Sequence, residues 1–144
     1  MKEGTKRLRI LCDTNVLLSM LGLPGRRLQA LWEIIQQEEV DLFISNFILE
    51  ELRRNLGRKI GLPPREVEDI LDAVKRHAQV VTPRDEVSLI REKESDNRIL
   101  ESALAASADV LITGNFKHIR PLGTFRGIAI LTPREFLDKH FPLR

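Results

Sequence analysis

The sequence predicts an α/β fold in three layers, with a central, mainly parallel twisted sheet between helices. Short, mostly apolar runs recur at Leu8–Cys12, Leu42–Ile44, Val80–Val81, Val110–Thr113 and Ile128–Leu131. Between them lie segments whose apolar residues follow helical spacing. The runs do not alternate apolar with polar, which is the pattern of parallel strands covered on both faces.

Each element follows in order. Leu8 to Cys12 reads as a buried strand, and a helix from about Asn15 to Leu21 is stopped by Gly22-Leu-Pro-Gly25. Leu28, Leu31, Trp32, Ile34 and Ile35 give the next helix its apolar face, to about Glu39. After the Leu42–Ile44 strand, Ser45 or Asn46 caps a helix to Leu56, with Gly57 just beyond. Pro63-Pro64 opens another helix, with Val67, Ile70, Leu71 and Val74 on one side. Ser95 is expected to cap a helix reaching about Ser107, and Thr132-Pro133 to start the last.

At 144 residues one domain, 1–144, is the expectation. Hydrophobic residues at 42% and charged residues at 31% argue against disorder. Apolar runs stay far short of a membrane span. Asp13 and Asn15 interrupt what would be the core of a signal peptide, so a soluble, cytoplasmic protein is expected. The single cysteine excludes a disulfide framework and a Cys-based zinc site, and Cys12 is expected as a small core residue. With six Phe, one Trp and no Tyr, a base-stacking sheet has little support. The net charge of +2 makes any basic surface local. His77 ends a helix, His140 is expected at the surface, and the three histidines form no metal motif. P-loop and nucleophile-elbow motifs are absent.

In parallel α/β sheets ligands bind beyond the carboxyl ends of the strands. Asp13 directly follows the first strand, although it also fits as a helix N-cap. Glu50 has Arg53 and Arg54 at i+3 and i+4, an ordinary solvated pairing. Glu51 shares a helix face with Phe47, Ile48 and Asn55, at the margin of the apolar stripe, where an unpaired carboxylate is costly. Asp96 points along the stripe of Ile99, Leu100 and Ala103, with helix capping or the helix dipole as the plainer explanation. Asn97 is turned about 100° away. Thr113-Gly114-Asn115 ends a later strand and puts a side-chain oxygen at the same edge, though it also reads as a simple turn. Three carboxylates converging without basic partners repel one another, and a hard divalent cation, Mg²⁺ or Mn²⁺, is the simplest thing to hold them together. That is the apparatus of metal-assisted phosphodiester hydrolysis.

Arg53, Arg54, Arg58, Lys59 and Arg65 follow with no acid among them between Arg53 and Arg65, and Lys117, His118 and Arg120 form a second patch. Such patches can hold a polyanion's backbone, and an ordinary solvated surface is the alternative.

These residues resemble a PIN domain, the ribonuclease fold of VapC-like toxins and related nucleases. The resemblance spans nearly the whole chain. It rests on Cys12-Asp13-Thr14-Asn15-Val16, on Ser45-Asn-Phe-Ile-Leu-Glu-Glu51-Leu, and on the run from Asp96 through Ala103 to Thr113-Gly-Asn115. The ending Thr-Gly-Asn-Phe-Lys-His is similar to the branch of PIN proteins read as toxins of toxin–antitoxin pairs. The resemblance implies that Asp13, Glu51 and Asp96 are catalytic and ligate Mg²⁺ or Mn²⁺, with Asn115 completing the ring and Thr14, Asn15 and Thr113 in support. RNA is the implied substrate, held by Arg53, Arg54, Arg58, Lys59, Lys117 and His118. A cognate antitoxin and a homodimer are implied as partners, with no membrane. Many members carry an acid at or just after the position of Asn115, whereas this chain has none until Glu135. Two alternatives stay open: a non-catalytic RNA- or partner-binding module, and a nuclease of DNA or of RNA maturation.

Overall fold

The computed structural model describes residues 6–22, 26–91 and 93–143. Most of the expected Gly22–Gly25 stop lies outside them. The strands are β1 (Leu8–Cys12), β2 (Val40–Ser45), β3 (Ala78–Val81), β4 (Val110–Ile112), β5 (Thr124–Phe125) and β6 (Ile128–Leu131). They form one sheet in the order β3-β2-β1-β4-β6-β5, parallel throughout except for β5 against β6. The helices are α1 (Thr14–Leu21), α2 (Arg26–Gln36), α3 (Asn46–Asn55), α4 (Pro64–His77), α5 (Glu94–Ala105) and α6 (Pro133–His140).

Successive residues of the central strands are buried: Ile10, Leu11 and Cys12 on β1, and Val110, Leu111 and Ile112 on β4. Consecutive strand residues point to opposite faces, so helices must cover both. The unbroken apolar runs have this physical origin. Edge strand β3 is only partly buried, with Val80 exposed. Cys12 is fully buried, and burial, then the charge of Asp13, pushes its thiol pKa up, which makes it an inert core residue.

Chain order creates the crevice. From β1 the chain steps outward through β2 to β3, then crosses back to β4 on the other side of β1. The strand order reverses between β1 and β4, where open α/β sheets bind ligands. Asp13 and Thr113 stand one residue past the ends of those two strands.

Three expectations need correction, and one strand was not expected. Ser95 does not cap α5: the cap is Lys93, with no side-chain hydrogen bond, and Asp96 N–H already donates to the Lys93 carbonyl at 3.1 Å. Gly57 does not end α3, because the chain continues into a π-helical turn over Leu56–Ile60. Gly61 ends that turn at φ +82°, a left-handed conformation that glycine adopts without a steric penalty. The short strand β5 was unforeseen. It pairs with β6 through a two-residue turn, Arg126 and Gly127, both at positive φ. His140 is half-buried, its ring 5.2 Å from that of Phe136.

The described residues between β3 and α5 have no regular structure, yet Val87 and Ile90 are buried. Asn97, almost fully buried, accepts the Ile90 N–H at 2.8 Å and donates to the Ile90 carbonyl at 2.7 Å. Glu101 accepts the Val87 N–H at 2.8 Å and pairs with Arg98 at 2.7 Å. This strap fixes the N-terminal end of α5.

Candidate functional site

Asp13, Glu51 and Asp96 line one cavity of about 250 Å³, together with Thr14, Asn15, Arg54, Asn55, Lys59, Lys93, Ser95, Ile99, Asn115 and Ile119. Three separate elements deliver the acids. Asp13 caps α1, its Oδ1 accepting the Val16 N–H at 2.9 Å. Asp13 therefore caps α1 and lines the cavity at once. Its Oδ2 accepts from the Thr113 hydroxyl. Burial, at 2% exposure, pushes the Asp13 pKa up. Hydrogen bonds from Thr113, Val16 and Gly114 pull it back, and the charge of Asp96 raises it further.

Glu51 reaches the cavity from α3. Its Oε1 accepts from the Thr14 hydroxyl at 2.6 Å, so the residue after Asp13 orients the second acid. Glu51 is half-buried, and Glu50 is exposed and pairs with Arg53 at 3.4 Å, as their helix faces predict. Asp96 stands in the first turn of α5 and is buried. Its Oδ1 accepts from Asn115 Nδ2 at 3.1 Å, while its Oδ2 is buried with no hydrogen-bond partner. Helix α5 is tied to the start of α3 by the Ser102 hydroxyl, which donates to Ser45 Oγ at 2.7 Å. Ser45 Oγ in turn caps α3 at the Ile48 N–H, 3.3 Å away.

Asn115 sits otherwise than a ligand would. Its Oδ1 accepts the N–H groups of Lys117 at 3.2 Å and His118 at 2.9 Å, and its amide nitrogen faces Asp96. Exchanging the amide's oxygen and nitrogen would set a donor against two donors, so the network fixes the orientation. Asn115 therefore offers a hydrogen-bond donor, not an oxygen, toward the acids. Thr113 is fully buried and holds both Asp13 and the Asn115 N–H, the latter at 2.9 Å. Asn15 is exposed on the cavity wall.

The expected basic residues divide. Arg54 and Lys59 line the cavity. Arg53 is held by Glu50 and Glu68, so it is committed to bridging α3 and α4. Arg58, Lys117 and His118 do not line the cavity. Lys93, Ser95 and Asn55 do line it, although Ser95 was expected only as a helix cap, Asn55 only as a neighbour of Glu51, and Lys93 not at all. For Asn55 the signal existed, since it lies one helical turn from Glu51. For Lys93 it did not, because its place depends on where α5 begins.

The donor set suits a hard divalent cation: three carboxylates and no soft ligand. The orphaned, buried Asp96 Oδ2 and the raised pKa of Asp13 are both relieved by positive charge. Among the described residues, however, no group of three or more His, Cys, Asp or Glu is gathered closely enough to hold a metal ion. The acids share a cavity without closing into one ligand cluster. A second concavity, of about 200 Å³, lies at the opposite strand ends, where Arg7 pairs with Asp41 at 3.3 Å. Of the two acids lining it, Asp41 is paired and Glu38 is exposed.

Fold and cavity together define a parallel α/β protein with an acid-lined crevice at its topological switch point. The family model of the PIN domain matches residues 9–117, and the chain belongs to the PIN-domain family. It is similar in structure to VapBC2 from Rickettsia felis, solved bound to a DNA fragment from their promoter. There the TM-score is 0.62 at 14% identity, covering 85% of this chain and 97% of that one. It is also similar to FitAcB from Neisseria gonorrhoeae, with a TM-score of 0.50 at 19% identity, covering 87% of this chain and 98% of that one. At these identities the likeness is one of fold. No curated protein matches the chain.

Proposed function

We propose that this protein is a VapC-like toxin of a toxin–antitoxin pair, acting as a Mg²⁺- or Mn²⁺-dependent endoribonuclease. One observation carries the reading: Asp13, Glu51 and Asp96 line a single cavity at the switch point of the sheet, and Asp96 Oδ2 is buried there unpartnered. The PIN-domain family and the toxin–antitoxin neighbours support it.

In this reading Asp13, Glu51 and Asp96 hold the cation. A bound Mg²⁺ or Mn²⁺ supplies Lewis acidity toward a phosphodiester and a water nucleophile active near neutral pH. The chain's own residues set the geometry. Thr113 and the N–H of Val16 fix the Asp13 carboxylate, Thr14 fixes Glu51, and Asn115 fixes Asp96. Each orienting group removes rotational freedom from an acid before substrate arrives. Basic side chains on the cavity wall offset the charge of the approaching polyanion. An antitoxin partner, a homodimer and a cytoplasmic setting belong to the same proposal. Among the described residues no helix is long and apolar enough to cross a membrane.

The test is cleavage of single-stranded RNA with Mn²⁺ or Mg²⁺ by the wild type and by Asp96→Asn. The expected result is metal-dependent cleavage that Asp96→Asn lowers by at least ~100-fold. Equal cleavage by both proteins defeats the reading. A second reading, a binding module without turnover, is favoured by the open arrangement of the acids. RNA binding with no cleavage in either metal selects it.

A further inference from the structure

The π-helical turn after α3 lies beside the cavity, and it changes which basic residue faces the acids. Glu51, Arg54 and Asn55 stand at i, i+3 and i+4 and all line the cavity. On an unbroken α-helix the next residue of that stripe is Arg58, which comes back to within about 20° of Glu51, while Lys59 stands about 80° away. The observed order is the reverse: Lys59 lines the cavity and Arg58 does not. The cause is the hydrogen-bond register. The Gly61 N–H donates to the Leu56 carbonyl, five residues back, so the turn takes up one residue more than an α-turn. Leu56, fully buried, and Ile60, packed against the core, hold both ends of the turn in place.

The surrounding charges sharpen the contrast. Arg53 is occupied by Glu50 and Glu68. Lys59 is exposed and makes no ion pair among the described residues. A cation set beside three acids, yet paired with none of them, is available for an anion that those acids act on. π-Turns in helices occur frequently at functional sites.

We propose that the π-helical turn brings Lys59, and not Arg58, over the acid cavity as a substrate-binding residue that holds a phosphate of the nucleic-acid strand. This rests on the nuclease reading above. It deepens that reading by selecting Lys59 over Arg58 among the expected basic residues and by naming the backbone device that places it.

The experiment uses a fluorescein-labelled single-stranded RNA 12-mer with four proteins: wild type, Lys59→Gln, Lys59→Arg and Arg58→Gln. Binding is followed by anisotropy across a NaCl series in EDTA, and cleavage by initial rates in Mn²⁺. Lys59→Gln is expected to bind ~5-fold more weakly and to lower the salt slope by about one. It should raise KM with little change in kcat, because holding a phosphate other than the one cleaved is uniform binding. Lys59→Arg should restore both, and Arg58→Gln should stay within about twofold of wild type. Circular dichroism of each variant checks the fold. If Lys59→Gln binds like wild type, or Arg58→Gln loses as much, the assignment of Lys59 is overturned while the nuclease reading stands. If the wild type neither binds nor cleaves the RNA, both readings fall together.

Discussion

The Asn115 amide nitrogen donates to Asp96 Oδ1 at 3.1 Å, while the Asn115 oxygen accepts two backbone N–H groups of the following turn. The residue is a brace between the end of β4 and the start of α5. Asn115→Asp keeps the oxygen that accepts from the turn but replaces the donor facing Asp96 with a second acceptor. Two carboxylates then oppose each other beside Asp13, whose pKa is already raised by burial and by Asp96. Without divalent cation the variant should melt several degrees below wild type at pH 7. Mn²⁺ should then raise its Tm by more than it raises that of wild type, because a cation relieves a larger repulsion. Differential scanning fluorimetry with and without Mn²⁺ measures both shifts, and equal Mn²⁺ responses contradict the brace.

Thr14 plays the corresponding part for Glu51. Its hydroxyl lies 2.6 Å from Glu51 Oε1 and is the one contact that fixes this carboxylate among the described side-chain hydrogen bonds. Thr14→Val keeps the shape and removes the donor. Loss of a group that orients a metal-binding side chain costs ~10–100-fold in affinity or activity. Titration calorimetry with Mn²⁺ should show a loss in that range, with secondary structure unchanged. Unaltered affinity means that Glu51 needs no orientation from Thr14.

Asn97 clamps the segment before α5 through a reciprocal pair of hydrogen bonds to Ile90, at 2.8 and 2.7 Å. Asn97→Ala leaves the Ile90 N–H and C=O buried without partners, which costs about 1–3 kcal/mol. Glu101 still holds the Val87 N–H. Hydrogen exchange should therefore accelerate at the Ile90 amide more than at the Val87 amide, and urea unfolding should report the lost stability. Equal protection at Ile90 in both proteins removes the clamp from the account.

The sequence exposed the parts of this molecule that depend on burial and on position after a strand. β1, β2, β4 and β6 were visible because helices cover both faces of the sheet, which leaves mostly apolar runs without polar alternation. Asp13 was visible because it follows β1 directly. Glu51 was separable from Glu50 because adjacent helix residues face different ways. What stayed hidden depends on hydrogen-bond choices that side-chain patterns do not encode. Lys93 caps α5 with backbone alone, so no Ser, Thr or Asp marks the true start. The π-turn leaves the apolar spacing of Leu56 and Ile60 compatible with an α-helix, so the exchange of Lys59 for Arg58 at the cavity is silent in the sequence. Asn115 could be placed at the sheet edge, but which end of its amide meets Asp96 depends on the turn at Lys117 and His118.

Arg120 and Glu135 tie the short helical turn at Arg120–Leu122 to α6 by a two-pronged contact, with N–O distances of 2.8 and 2.7 Å. Glu135 also completes the capping box of α6 with Thr132. Arg120 and then the Thr132 N–H lower the Glu135 pKa to about 2. A carboxyl whose folded pKa is depressed contributes stability above its unfolded pKa and loses it as pH falls through the folded value. The contribution is therefore complete near neutral pH, declines below about pH 4.5, and is gone near pH 2. Because both side chains are partly solvated, salt screens part of it. Glu135→Gln should lower Tm at pH 7 and lessen the loss of stability between pH 4.5 and 2 compared with wild type. Thermal melts across that range, at low and high salt, measure the effect. Parallel pH profiles for the two proteins show that Glu135 is not a source of the acid sensitivity.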